Sequence, residues 1–150
     1  MYWYEKENGD LLKFEKDCFL QFMREYNHPN MKMMFGYDKN HRFCVDVTLP
    51  VKPAPDQRWR TFVFHVVYEH DHPGRDADGF FGGSIKVYPM TKLKPGFHHL
   101  ISDPTMGLPY ICQVKSTDSA SVNGYTAMTR VLRWIDVYCV WEKTGVDRDR

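Results

Sequence analysis

The segment FHHLISDPTMGLPYICQV, Phe97 to Val114, gathers the side chains of this chain best suited to chemistry. It holds two adjacent histidines, His98 and His99, an aspartate before a proline, Asp103, and a single thiol, Cys112. A thiolate beside an imidazole base is a nucleophile that can carry a covalent acyl intermediate, the chemistry of cysteine proteases and acyltransferases. No residue in the sequence marks a third, orienting member of such a set. The same side chains are metal-ligand types, but the spacing H-H-x₃-D-x₈-C fits no closed zinc pattern. No metal and no cofactor are therefore expected. The plain alternative is a buried, inert thiol, since Tyr110, Ile111 and Val114 are apolar and free cysteine behaves as a small hydrophobe. Pro109 just before it and the polar run KSTDSASVNG just after it argue the other way and predict partial exposure for Cys112.

The elements that must position these residues follow from periodicity. Between Asp10 and Tyr26, the residues Leu11, Phe14, Cys18, Phe19, Phe22, Met23 and Tyr26 recur at spacings of three and four. That spacing predicts an amphipathic helix. The sequence NHPN, Asn27 to Asn30, ends it, because the residue before a proline is pushed out of helical geometry. The period then falls to two. Strands are predicted at Lys32–Tyr37 and Arg42–Leu49 around a turn at Asp38–Asn40, at Arg60–His70 beyond a proline-rich connection, and in SIKVYPM. Regular pattern is lost from Thr91 to Asn123, a length at which an irregular stretch is usually functional. A second helix begins near Tyr125, with Met128, Val131, Leu132, Ile135 and Cys139 on one face and Gly145 as its stop. The remaining VDRDR reads as solvated. Runs of strands between two helices indicate one α+β domain over residues 1–150, with helices packed on a four-stranded antiparallel meander.

Bulk properties narrow the function classes. Twenty Lys and Arg against nineteen Asp and Glu leave a formal charge of +1, without the basic excess of a nucleic-acid or anionic-membrane binder. No apolar run approaches the about 18 residues of a membrane span. The opening MYWYEKENGD has no apolar signal segment. The four cysteines, Cys18, Cys44, Cys112 and Cys139, are widely spaced, which fits reduced thiols in a cytoplasmic protein better than a disulfide framework. Cys18 and Cys139 lie on apolar helix faces and are expected to be core. Cys44 falls on the more polar face of its strand and is expected to be intermediate in exposure.

The whole layout resembles the ubiquitin-conjugating enzyme family. In that family the fourth strand leads through a Tyr-Pro or Phe-Pro region to a His-Pro-Asn motif, then to a glycine, an Ile-Cys pair, a polar loop and a helix. Here Val87–Pro89, His98–His99, Gly107, Tyr110–Cys112 and the helix from about Tyr125 stand in that order. The chain departs from the pattern in three ways. No His-Pro-Asn precedes the cysteine, His99 stands thirteen positions upstream of it, and a single clear helix follows. The intact HPN at His28–Asn30 lies eighty-four positions ahead of Cys112 and serves as a helix stop. Such divergence is similar to the stand-alone bacterial conjugating enzymes of cyclic-nucleotide anti-phage (CBASS) operons.

That resemblance implies that Cys112 accepts a protein C-terminal carboxyl as a thioester and passes it to a lysine amine. The protein substrate would be a CD-NTase nucleotidyltransferase, modified through its C-terminus, with an activating enzyme as a further partner. The oxyanion role of the absent motif Asn would fall to His99, to a backbone N–H near Gln113, or to Asn123. Asp103 would orient His99 or ease the incoming lysine, its plainer role being a turn residue before Pro104. The loop Lys115–Asn123 would gate the acceptor. A non-catalytic binding module of the same fold is the competing expectation: the missing motif favours it, and the cysteine at the matching place favours the enzyme.

Overall fold

The computed structural model describes residues 1–74, 83–113 and 121–149. Two long helices, α1 (Asp10–Tyr26) and α2 (Gly124–Thr144), bracket four strands, β1 (Lys32–Tyr37), β2 (Phe43–Val51), β3 (Arg60–Tyr68) and β4 (Ile85–Pro89). The strands pair in sequence order, each antiparallel to the next. This is the α+β architecture expected from the alternation of periods. Helix α1 stops at Asn27, which takes a left-handed conformation and returns its N–H to the Met23 carbonyl. The second strand runs two residues past Leu49, so that Pro50 pairs with Thr61 and its carbonyl accepts the Tyr26 hydroxyl.

Both helices pack on one face of the sheet. Phe43, Val45, Val47 and Leu49 of β2 and Phe62, Phe64, Val66 and Tyr68 of β3 all point there and are fully buried. Strict alternation thus converts directly into one apolar face. The other face is not simply polar. Cys44, Val67 and Tyr88 form a second, smaller core beneath Met106, Leu108 and Tyr110 of the segment that follows β4. Cys44, expected to be intermediate, is therefore buried. The correction arises because the irregular segment folds back under the sheet, a long-range contact that strand periodicity does not encode.

The α1 stripe departs from the expected core at one position. Phe14 is 51% exposed, whereas Glu15 beside it is 1% exposed. The Glu15 carboxylate accepts the Tyr68 hydroxyl and, at 2.8 Å, the Gly124 N–H at the start of α2. His72 lies on its second oxygen at 3.4 Å. A negative group at a helix N-terminus meets unpaired N–H groups and the positive end of the dipole. One buried carboxylate therefore ties α1, β3 and α2 together. Gly124 must be glycine here, since an added Cβ would lie 2.4 Å from the Phe19 ring.

Candidate active site

The irregular segment contains a two-stranded ladder. Strands β5 (Leu100–Ile101) and β6 (Tyr110–Ile111) pair antiparallel, Leu100 opposite Ile111 and Ile101 opposite Tyr110. One step further along the same register, the Cys112 N–H donates to the His99 carbonyl at 3.0 Å. His99 and Cys112 are therefore cross-strand partners. Directly opposed side chains in an antiparallel ladder share a face, with Cβ atoms about 4.5–5.5 Å apart. Thirteen positions of sequence thus close into two directly opposed residues, His99 and Cys112.

Several bonds hold this pair in place. The Trp134 indole N–H of α2 donates to the same His99 carbonyl at 2.9 Å. Phe97, two residues before His99, packs against Trp134, Tyr138 and Trp141. On the other side of the thiol, the Gln113 side chain donates to the Ile85 carbonyl at 2.8 Å and accepts the Ser121 hydroxyl at 2.5 Å. The Gln113 carbonyl lies 3.5 Å from the Arg133 guanidinium. Anchored from both sides, Cys112 is 7% exposed, less than the partial exposure expected from its flanking Pro109 and polar run. A proline and a polar sequence mark where regular structure ends, but they do not say how tightly the ends are tied.

Asp103 lies apart from this pair. One carboxylate oxygen accepts the Thr105 and Met106 N–H groups, and the other accepts the Tyr88 hydroxyl at 2.7 Å. Its described bonds build the turn between β5 and β6. Burial pushes its pKa up, but the Tyr88 hydroxyl, the Met106 and Thr105 N–H groups and the nearby Lys86 charge outweigh that and hold it below its ordinary value. The carboxylate against His99 is instead Asp147, whose oxygens lie 2.8 and 2.9 Å from the ring Nε2. Asn123 caps α2, its side-chain oxygen accepting the Thr126 N–H at 2.8 Å. Of the proposed gating loop, residues 115–120 lie outside the described residues.

Burial works against ionisation of the other three thiols. Burial pushes the Cys44 thiol up to about 12, and burial likewise raises Cys18 and Cys139. A raised pKa keeps the unreactive protonated form. Among the described residues no three His, Cys, Asp or Glu side chains gather as a metal site would need. Among them, too, no helix is long and apolar enough to cross a membrane.

Asp147 and Arg133 escaped the sequence reading. Asp147 sits in a charge-rich run with no periodicity, and Arg133 is one of several charged residues beside the apolar stripe of its helix. No protein-family model, curated protein or solved structure matches the chain.

Proposed function

We propose that the protein is a thioester-forming acyl transferase of the ubiquitin-conjugating type, with Cys112 as nucleophile. The observation that carries this reading is the register that sets His99 opposite Cys112 at the end of the β5–β6 ladder. In the proposed reaction His99 takes the thiol proton, and the thiolate attacks an activated C-terminal carboxyl of a protein substrate, whose activating group leaves with that proton. A lysine amine then displaces the thiolate, so one difficult amide synthesis becomes two easier steps. Support for the family comes from the order of elements: a leading helix, a four-stranded meander, an irregular segment holding one cysteine, and a closing helix. Following the resemblance, the substrate is the C-terminus of a cyclic-nucleotide synthase in a bacterial anti-phage system, loaded by an activating enzyme in the cytoplasm.

Co-expression of the three proteins provides the test. The wild-type protein should carry an adduct that reducing agent removes. Cys112→Ser should carry an adduct that resists reducing agent and yields to hydroxide, because an oxyester is a poorer acyl donor to amines than a thioester. Cys112→Ala should carry none. A conjugate formed at the wild-type rate by Cys112→Ala would overturn the reading. The 7% exposure of Cys112 favours a second reading, a binding module that holds the same partner without chemistry. That module would bind the synthase equally well with alanine at position 112 and form no adduct at all.

A further inference from the structure

Helix α2 ends at Gly145, whose left-handed φ of 76° turns the chain while its N–H returns to the Trp141 carbonyl at 2.8 Å. Residues 146–149 do not leave the molecule. They run back along the helix they have just left. The Arg148 guanidinium meets Asp136 at 2.5 Å, and Asp149 meets Arg133 at 3.4 Å. Just before these two outward contacts, the Asp147 side chain turns inward and is 6% exposed. Its carboxylate receives His99 Nε2 on both oxygens and the Asp149 N–H on one. A run that reads as solvated tail is a strap laid across the candidate site.

The donor-acceptor chemistry of that contact has a consequence. An ionised carboxylate only accepts, so the imidazole must present Nε2–H to it, and the lone pair then resides on Nδ1. Cys112 stands directly across the ladder from His99, and Nδ1 is the ring nitrogen left to serve it. We propose that Asp147, delivered by the strap of residues 146–149, is the positioning residue that fixes His99 as the base for Cys112. The inference rests on reading Cys112 and His99 as nucleophile and base. The thiol proton passes to Nδ1, the Asp147 carboxylate stabilises the imidazolium, and Asp147 itself keeps its charge throughout. The freed thiolate forms its bond to the acyl carbon as the donor's leaving group departs with the proton.

Two readouts test this without any acyl donor: the imidazole nitrogen NMR shifts of His99, and the pH profile of Cys112 alkylation by iodoacetamide. The wild-type ring should be the Nε2–H tautomer at pH 8. In Asp147→Asn the carboxamide can donate to Nε2 and invert the tautomer, so Cys112 alkylation should fall on the order of 10²-fold at neutral pH. Asp147→Glu should recover much of the rate, and a chain ending at Gly145 should lose as much as Asp147→Ala does. Circular dichroism should show all of these variants folded at the temperature of the assay, so that a rate loss is not a loss of folded protein. A wild-type tautomer and alkylation profile in Asp147→Asn overturns the inference, as does a rate loss that only tracks a loss of folded protein. If Asp147→Asn shows the tautomer change while the wild-type protein forms no thioester, the transfer reading fails alone. If Asp147→Asn forms the thioester at the wild-type rate, the positioning role fails alone.

Discussion

At the scale of single residues, all four thiols are buried, so accessibility does not rank them. Their surroundings do. Cys44 lies in a small core with Val67 and Tyr88, and burial pushes it up to about 12. Cys18 and Cys139 are raised by the same desolvation on their helix faces. Cys112 has an imidazole as its cross-strand neighbour and the Arg133 guanidinium at the adjoining Gln113 carbonyl. Only the thiolate is nucleophilic. Brief iodoacetamide treatment of the folded protein at pH 8, followed by peptide mass spectrometry, should label Cys112 first, with the other three following on the timescale of unfolding. Faster labelling of Cys44 would contradict the assignment. The sequence shows His99 and Cys112 only as ligand-type side chains thirteen positions apart, because the ladder that sets them opposite each other is two residues long on each side. The contact of Asp147 with His99 is hidden from the sequence, because it depends on a chain reversal at Gly145 that brings residue 147 back over residue 99.

At the scale of elements, packing around the N-terminus of α2 sets how firmly the site is backed. Replacing Glu15 with alanine would leave the Tyr68 hydroxyl and the Gly124 N–H buried without their acceptor. Removing one member of a buried charged network costs about 3–5 kcal/mol. Urea unfolding should show that loss for Glu15→Ala and a smaller one for Glu15→Gln, which keeps an acceptor oxygen. Gly124→Ala should cost about 1–3 kcal/mol through overpacking against Phe19, and Phe19→Leu should relieve much of it in the double variant. Additive effects would mean that the two side chains do not compete for one space. Helix α1 and strand β1 appear with the bounds the sequence predicts, Asp10–Tyr26 and Lys32–Tyr37, because each period is clean and Asn27–Asn30 separates them. Glu15 was illegible for the opposite reason. Its partners stand 53 and 109 positions away, and a local window shows only a charged residue on a helix.

At the scale of the whole molecule, ion pairs join the two ends of the packing. Arg60 at the start of β3 reaches Glu142 near the end of α2 at 2.6 Å. The Arg60 guanidinium holds the Glu142 pKa below its ordinary 4.5, with the Tyr138 hydroxyl adding to the effect and burial partly opposing it. A carboxylate depressed in the folded state binds protons less readily there than in the unfolded chain. Its contribution to stability is therefore complete above pH 4.5 and is lost as the pH falls through the lower folded value. Stability should be flat near neutrality and decline below about pH 4.5. In Arg60→Met that decline should be shallower, as measured by thermal midpoints between pH 3 and 7. An equal decline in both proteins would show that the pair does not link folding to pH. The same scale explains the second core. Nothing in the pattern of residues 102–110 shows that they fold under the sheet, because Met106, Leu108 and Tyr110 are apolar residues scattered among Pro104, Gly107 and Pro109.

The central claim, that Cys112 carries an acyl group, can be tested on the protein alone. A short peptide bearing a C-terminal alkyl thioester serves as the activated carboxyl, and intact-mass spectrometry follows the protein. The account predicts that the wild-type protein gains one peptide mass, that free lysine or hydroxylamine removes it, and that Cys112→Ala gains none while Cys44→Ser gains it normally. Acylation of Cys112→Ala to the same extent as the wild-type protein, or a wild-type Cys112 that stays unmodified, would contradict it.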